Sequence, residues 1–143
     1  MIYCLDTDII IEYFRGNESI KNKIENLGDN DSIGLTWLSV YEFFKGIFAS
    51  GKYNEEDFLK RLVDSAIMME ETFESSKMGG EIYATLKKKG NLLNDADILI
   101  AGIAIKHDAV LITNNEDFNY RHRICRACYR RMHGADGKQR FLR

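Results

Sequence analysis

Residues 95–113 read DADILIAGIAIKHDAVLIT. After an acidic opening, Ile98, Leu99, Ile100, Ala101, Ile103, Ala104 and Ile105 leave almost no polar side to a helical wheel, and a helix of that kind is buried all round. The pattern predicts a helix over Asp95–Lys106. Ala109–Thr113 then reads as a short, fully buried strand. A buried helix feeding a buried strand is the repeating unit of a parallel sheet with helices on both faces.

The same alternation extends back toward the start of the chain. Ile2–Leu5 is an apolar run stopped by Asp6, a first strand. Thr7-Asp8 can open a helix carrying Ile9, Ile10, Ile11, Tyr13 and Phe14, which the Arg15-Gly16-Asn17 turn ends. Residues 18–27 place Ile20, Ile24 and Leu27 on one helical face, and Ile33–Thr36 is a short strand. Ser39–Phe48 carries Val40, Phe43, Phe44 and Ile47 at helical spacing, with Ser39 and Glu42 matching the capping-box pattern. Residues 55–66 and 73–89 read as amphipathic helices with Ile67–Met69 a strand between them. Lys87-Lys88-Lys89-Gly90 is a basic helix end followed by a capping glycine. The expected fold is α/β: a three-layer α/β/α sandwich on a central parallel sheet, one domain over residues 1–120.

The bulk properties agree. A chain of 143 residues is long enough for one domain with a real core, and 45% hydrophobic with 29% charged residues is a globular balance. No apolar run nears the ~20 residues needed to span a bilayer. The opening MIYCLDTD meets an acid too early to read as a secretory signal. Three cysteines, Cys4, Cys125 and Cys128, cannot all pair within one chain, which favours a reducing, cytoplasmic setting. The net charge of −2 hides a split: residues 121–143 hold 8 Lys and Arg against Asp136 alone, leaving 12 bases and 21 acids in residues 1–120. The expectation is an acidic body with a basic C-terminal tail, 121–143. An acidic body that handled nucleic acid would need cations or local basic patches to offset phosphate repulsion. With no proline anywhere, turns rest on Gly, Asn and Asp.

The acids follow a pattern of their own. Asp6 directly follows the first strand, and Glu42 sits in the first turn of a helix that follows a strand. Asp97 opens the buried helix, and Asp117 follows the last strand. In a parallel α/β sheet all four fall near the carboxyl ends of strands, the edge where such folds bind ligands. Acids also cap helices and fill turns, and for Asp29, Asp31, Asp57, Asp64 and Asp108 that is the whole reading. Asp6 and Asp97 resist it, because each abuts an apolar run where an uncompensated charge is costly. Asp8 and Asp95 fit either role. Four carboxylates brought together would repel one another, and hard divalent cations would relieve that repulsion.

These segments resemble a known family. LDTDIII at the start, LTWLSVYEFFKG around Glu42, and NLLNDADILIAGIAIKHDAVLITNNEDF are similar to the acidic motifs of PIN-domain nucleases, in order, and most closely to VapC-type toxins of toxin–antitoxin pairs. The resemblance covers roughly residues 1–118. It implies a metal-dependent endoribonuclease in which Asp6, Glu42 and Asp97 hold Mg²⁺ or Mn²⁺ and Asp117 is a more variable fourth acid. Thr7, Thr113 and Asn115 fall where the family places polar support. It also implies RNA as substrate, a cognate antitoxin protein as partner, and a homodimer. The C-terminal stretch NYRHRICRACYRRMHGADGKQRFLR departs from the family, which continues into an apolar-rich segment with a final strand.

Other readings stand beside this one. A PIN-like module can serve as a non-catalytic RNA-binding or scaffold domain, although the retention of all four acids argues against that. Asp6-Thr7-Asp8 after a strand also resembles the Asp-x-Asp nucleophile motif of haloacid-dehalogenase-type phosphatases. That family usually has Thr or Val where Ile10 stands, and this chain is short for it. His122, Cys125, Cys128 and His133 are possible zinc ligands, but their spacing is not that of a finger or knuckle. The tail otherwise reads as a basic terminus suited to RNA phosphates. Tyr13, Phe14, Trp37, Tyr41, Phe43, Phe44 and Phe48 are read as core rather than as base-stacking platforms.

Overall fold

Four short strands pair side by side, all parallel, in a computed structural model that describes residues 1–51, 55–88, 90 and 93–114. The elements run β1 (Ile2–Leu5), α1 (Thr7–Phe14), α2 (Glu18–Glu25), β2 (Ser32–Thr36), α3 (Trp37–Ser50), α4 (Glu56–Ser65), β3 (Ile67–Met69), α5 (Phe73–Lys88), α6 (Asp95–Lys106) and β4 (Val110–Ile112). The sheet order is β3-β2-β1-β4. Cys4 lies opposite both Gly34 of β2 and Leu111 of β4, so β1 is an interior strand, as is β2.

Alternation along the strands sorts side chains to two faces. Cys4, Met69 and Leu111 join Ile82, Leu86, Ile98, Ile103 and Ala104 in a core under α5 and α6. Leu5 and Leu35 join Ile9, Ile10, Val40, Phe43, Ile47, Leu59 and Leu62 in a second core under α1–α4. Two helical layers on a parallel sheet make the three-layer α/β/α sandwich. The buried helix α6 occupies Asp95–Lys106, as its all-round apolar pattern requires. Among the described residues no helix is long and apolar enough to cross a membrane.

The chain steps outward from β1 to β2 to β3, then crosses back through α5 and α6 to lay β4 on the other side of β1. The direction of travel therefore reverses between β1 and β4. In open α/β sheets the crevice outside the carboxyl ends of the strands, at such a switch point, is where ligands bind.

Three sequence expectations are corrected. The third helix starts at Trp37 rather than Ser39, and its N-cap is Thr36, whose hydroxyl oxygen accepts from the Ser39 N–H at 3.0 Å. Ser39 therefore lies inside the helix, the capping box does not form, and Glu42 sits in the second turn rather than the first. The first helix is capped not by Thr7 or Asp8 but by Asp6, the residue that directly follows β1. The aromatic residues divide: Phe43 is buried, but Trp37, Tyr41 and Phe48 are 57%, 59% and 60% exposed. Residues 115–143, with Asn115, Asp117, the His122/Cys125/Cys128/His133 set and the basic tail, lie outside the described residues.

Candidate active site

The switch-point crevice is built first by backbone. The Asp6 N–H donates to the Ile112 carbonyl at 3.0 Å, carrying the β1–β4 pairing one residue past the end of β1. Asp6 then turns into α1 with extended backbone, φ −73° and ψ 161°. Its Oδ1 accepts from the Thr7 N–H at 2.7 Å, and its carboxylate also accepts a side-chain hydrogen bond from Thr113, just beyond β4. Only 4% of the residue is exposed. Burial pushes its carboxyl pKa up to about 6, against the pull of the Thr113 and Thr7 hydrogen bonds, and the charges of Asp8 and Asp97 push the same way as burial. A buried carboxyl raised above its ordinary range beside other acids is the pattern that singles out a candidate functional position.

Asp8 lies two residues along, in the first turn of α1. Its Oδ2 accepts from the Asn114 N–H at 2.8 Å and its Oδ1 from the Ile9 N–H at 2.7 Å. Burial raises its pKa, opposed first by the Asn114 hydrogen bond. The side chain thus ties the start of α1 to the chain leaving β4. The two readings open for Asp8 resolve toward a support that clasps the crevice.

Glu42 reaches the crevice from α3. Its Oε2 accepts from the Thr7 hydroxyl at 2.9 Å, and its Oε1 lies 3.9 Å from the Lys45 ammonium. The turn that delivers it has no loop residues, because β2 ends at Thr36 and α3 begins at Trp37. Thr36 makes this possible by capping α3 while fully buried, its hydroxyl 2.9 Å from that of Ser39. Asp97 arrives from the other face, in the first turn of α6, where Asn94 is the N-cap and accepts from the Ala96 N–H at 3.3 Å. Its charge is felt at Asp6.

The structure therefore brings Asp6, Asp97, Glu42, Thr7 and Thr113 to one edge. It adds Asp8, which sequence reasoning left undecided, and Asn94, which it passed over as a cap. The donor set suits a hard divalent cation, since it consists of carboxylate and hydroxyl oxygens. Among the described residues no Lys or Arg forms an ion pair with Asp6 or Asp8, so no side-chain cation compensates these carboxylates. Nor do any three acid, histidine or cysteine side chains among the described residues close into a cage. Mg²⁺ keeps several of its waters and needs only one or two carboxylates. An open acidic edge fits that ion better than a closed structural site.

Residues 3–123 match the PIN domain. This chain belongs to the PIN-domain family. Among curated relatives of this PIN domain, Ribonuclease VapC1 of Haemophilus influenzae (strain R2866) is 31% identical over 117 residues, covering 80% of this chain and 87% of that protein. Ribonuclease VapC2 of Rickettsia felis is 32% identical over 121 residues, with the same coverage of 80% and 87%. Among solved structures, VapBC2 from Rickettsia felis bound to a DNA fragment from their promoter superposes with a TM-score of 0.75 at 28% identity, covering 84% of this chain and 92% of that one. VapBC-1 from nontypeable Haemophilus influenzae gives 0.72 at 30% identity, covering 83% and 91%. The resemblance read from the acidic motifs is thus a family membership.

Proposed function

We propose that this PIN domain is a divalent-metal-dependent endoribonuclease and the toxin of a toxin–antitoxin pair. The observation that carries the reading is Asp6: a buried carboxylate at the switch-point crevice, its pKa raised to about 6, with Asp8 and Asp97 as charge neighbours. Kinship with ribonucleases VapC and with VapBC structures supports RNA as substrate and a cognate antitoxin protein as partner. A homodimer and a cytoplasmic setting belong to the same reading.

Asp6, Glu42, Asp97 and Asp117 would hold Mg²⁺ or Mn²⁺. When bound, such an ion supplies Lewis acidity toward water and charge stabilisation for the scissile phosphate. The chain's own residues do the positioning. The Thr7 N–H and the Thr113 hydroxyl fix the Asp6 carboxylate, and the Thr7 hydroxyl aims Glu42. Asp8 holds the two sides of the crevice together through Asn114. Asn115 would extend this polar support.

The test is cleavage of RNA with Mg²⁺ or Mn²⁺, with and without chelator, by wild type and by Asp6→Asn, Asp97→Asn and Glu42→Gln. Changing an outer partner of a metal ligand costs about 10–100-fold, so loss of a ligand charge should leave under ~1% of wild-type activity in a folded protein. Cleavage unaffected by chelator, or an Asp6→Asn protein cutting at wild-type rate, would overturn the assignment. Asp117→Asn should retain partial activity as the outermost acid.

A further inference from the structure

Glu42 splits its carboxylate between two partners. Oε2 accepts from the Thr7 hydroxyl at 2.9 Å, and Oε1 faces the Lys45 ammonium at 3.9 Å. Lys45 lies three residues further along α3, a spacing at which helical side chains are neighbours. Its ammonium also stands 5.4 Å from the centre of the exposed Tyr41 ring, one turn back on the same helix. The two ends of the ion pair differ in exposure: the Glu42 side chain is 12% exposed and that of Lys45 55%. The carboxylate is set in the crevice, and the ammonium stands at its rim.

This pair is built to be broken. At 3.9 Å the charges attract, but the contact is too long for a hydrogen bond. An ion pair with an exposed partner is worth little, so a stronger partner displaces it readily. On the ribonuclease reading Glu42 is one of the acids that would hold a divalent cation. A divalent charge on that carboxylate repels an ammonium beside Oε1, so the two compete for Glu42. The ammonium is the one that yields, because it carries a single charge on a flexible four-carbon stem.

The displaced ammonium is useful where it then lies. Residues 1–120 carry 21 acids against 12 bases, so a polyanion reaching the acids requires local positive charge. Lys45 stays rooted one turn of α3 from Glu42, and an ammonium makes a charge-assisted hydrogen bond to a phosphate oxygen.

We propose that Lys45 exchanges partners during substrate capture: it neutralises Glu42 in the metal-free protein, yields that carboxylate to a divalent cation, and then holds a phosphate of the RNA. The proposal rests on the ribonuclease reading and names how the same site gains its substrate. The experiment compares wild type with Lys45→Gln and Lys45→Arg. It measures Mn²⁺ binding by calorimetry without RNA, KM and kcat on a short RNA with Mn²⁺, and binding of that RNA in chelator, the last two across a range of salt. Removing the charge should have effects of opposite sign. Lys45→Gln should tighten Mn²⁺ binding roughly three- to tenfold, because a repelling charge is gone. It should raise KM roughly two- to fivefold, the order of one exposed charge pair, with kcat and melting little changed. The salt dependence of KM should become shallower by about 1 in log–log slope, the signature of one lost phosphate contact. In chelator, where Lys45 is paired with Glu42, the slope for RNA binding should stay as in wild type. Lys45→Arg keeps the charge and should restore wild-type values throughout.

If wild type cleaves RNA with metal and Lys45→Gln leaves Mn²⁺ binding unchanged, Lys45 does not compete for Glu42, and this proposal is overturned while the ribonuclease reading stands. The same holds if Mn²⁺ binding tightens but KM and its salt slope do not move. A slope that falls equally with Mn²⁺ and in chelator would make Lys45 a fixed phosphate contact, which also overturns the exchange. If wild type binds no Mn²⁺ and cleaves no RNA, both readings fall.

Discussion

On one face of the sheet two helices meet backbone to backbone, and on the other they are held apart by rings. A Cβ built on Gly102 of α6 would lie 2.5 Å from the Ser75 carbonyl oxygen and 2.9 Å from the Gly79 nitrogen of α5. On the opposite face, the Phe58 ring centre lies 5.0 Å from that of Phe14, 5.7 Å from Tyr13 and 6.3 Å from Phe43. Each face delivers one acid to the crevice, Asp97 from the first and Glu42 from the second. Added volume can be absorbed by rings that turn, but not by a backbone locked into two helices. The helix that carries Asp97 is therefore positioned by main-chain contact, whereas Glu42 is positioned by a hydrogen bond from Thr7.

The sharpest way to break this contrast is Gly102→Ala. Overpacking usually costs about 1–3 kcal/mol and occasionally more. Here the obstacles are main-chain atoms at 2.5 and 2.9 Å, so the helices must part. Alanine returns about 1 kcal/mol of helix propensity. With main-chain obstacles the overpacking cost should exceed that range, at about 4 kcal/mol, so the net loss should be about 3 kcal/mol, read as a fall in melting temperature. RNA cleavage should drop with it, because α6 carries Asp97. A Gly102→Ala protein with wild-type stability and activity would show that the α5–α6 contact is not rigid.

Between the two faces sits Asp6, and pH tests it. Its pKa rises from 3.8 to about 6 on folding, burial being the main cause. A raised carboxyl pKa means the folded state resists ionisation. The metal-free protein therefore keeps this share of its stability below about pH 3.8 and loses it as pH rises through about 6. Two pKa units correspond to at most about 3 kcal/mol. Asp6→Asn cannot ionise and escapes the loss. Without metal, the Asn variant should melt above wild type at pH 8 and the gap should narrow toward pH 5. Millimolar Mg²⁺ should then raise wild type selectively, by mass action on the folded site. Parallel pH profiles for the two proteins would mean that Asp6 is not held in a compressed acidic site.

The two faces also differ in how far they could be read in advance. α6 was legible to the residue, because an all-round apolar run admits one interpretation. Asp6 and Asp97 were legible as candidates because each interrupts apolar sequence, and the fold brings their charges within reach of one another. The ring-filled face was less so. Periodicity shows which residues share a helical face but not whether anything covers it, so Trp37, Tyr41 and Phe48 were assigned to the core and emerge exposed. The α3 cap was missed because Thr36 both ends a strand and caps a helix, and a local Ser-x-x-Glu match masked it. Asp8's bond to the Asn114 amide joins residues 106 positions apart, and no short-range pattern encodes that pairing.

The smallest expected effect completes the contrast. Phe58→Leu removes a half-buried ring from a cluster of four, leaving a branched apolar side chain in its place. Ring–ring contacts are worth about 0.5–1.5 kcal/mol beyond their area. Tyr13, Phe14 and Phe43 can turn into the space released, which limits any cavity. The net cost should be about 1 kcal/mol, roughly a third of that for Gly102→Ala. Cleavage kinetics should stay within about twofold, because Glu42 takes its position from the Thr7 hydroxyl and not from the rings. The measurement is a melting curve beside kcat and KM for both variants. If Phe58→Leu disabled cleavage as strongly as Gly102→Ala, the ring cluster would be positioning Glu42, and the two faces would be equally rigid supports of the site.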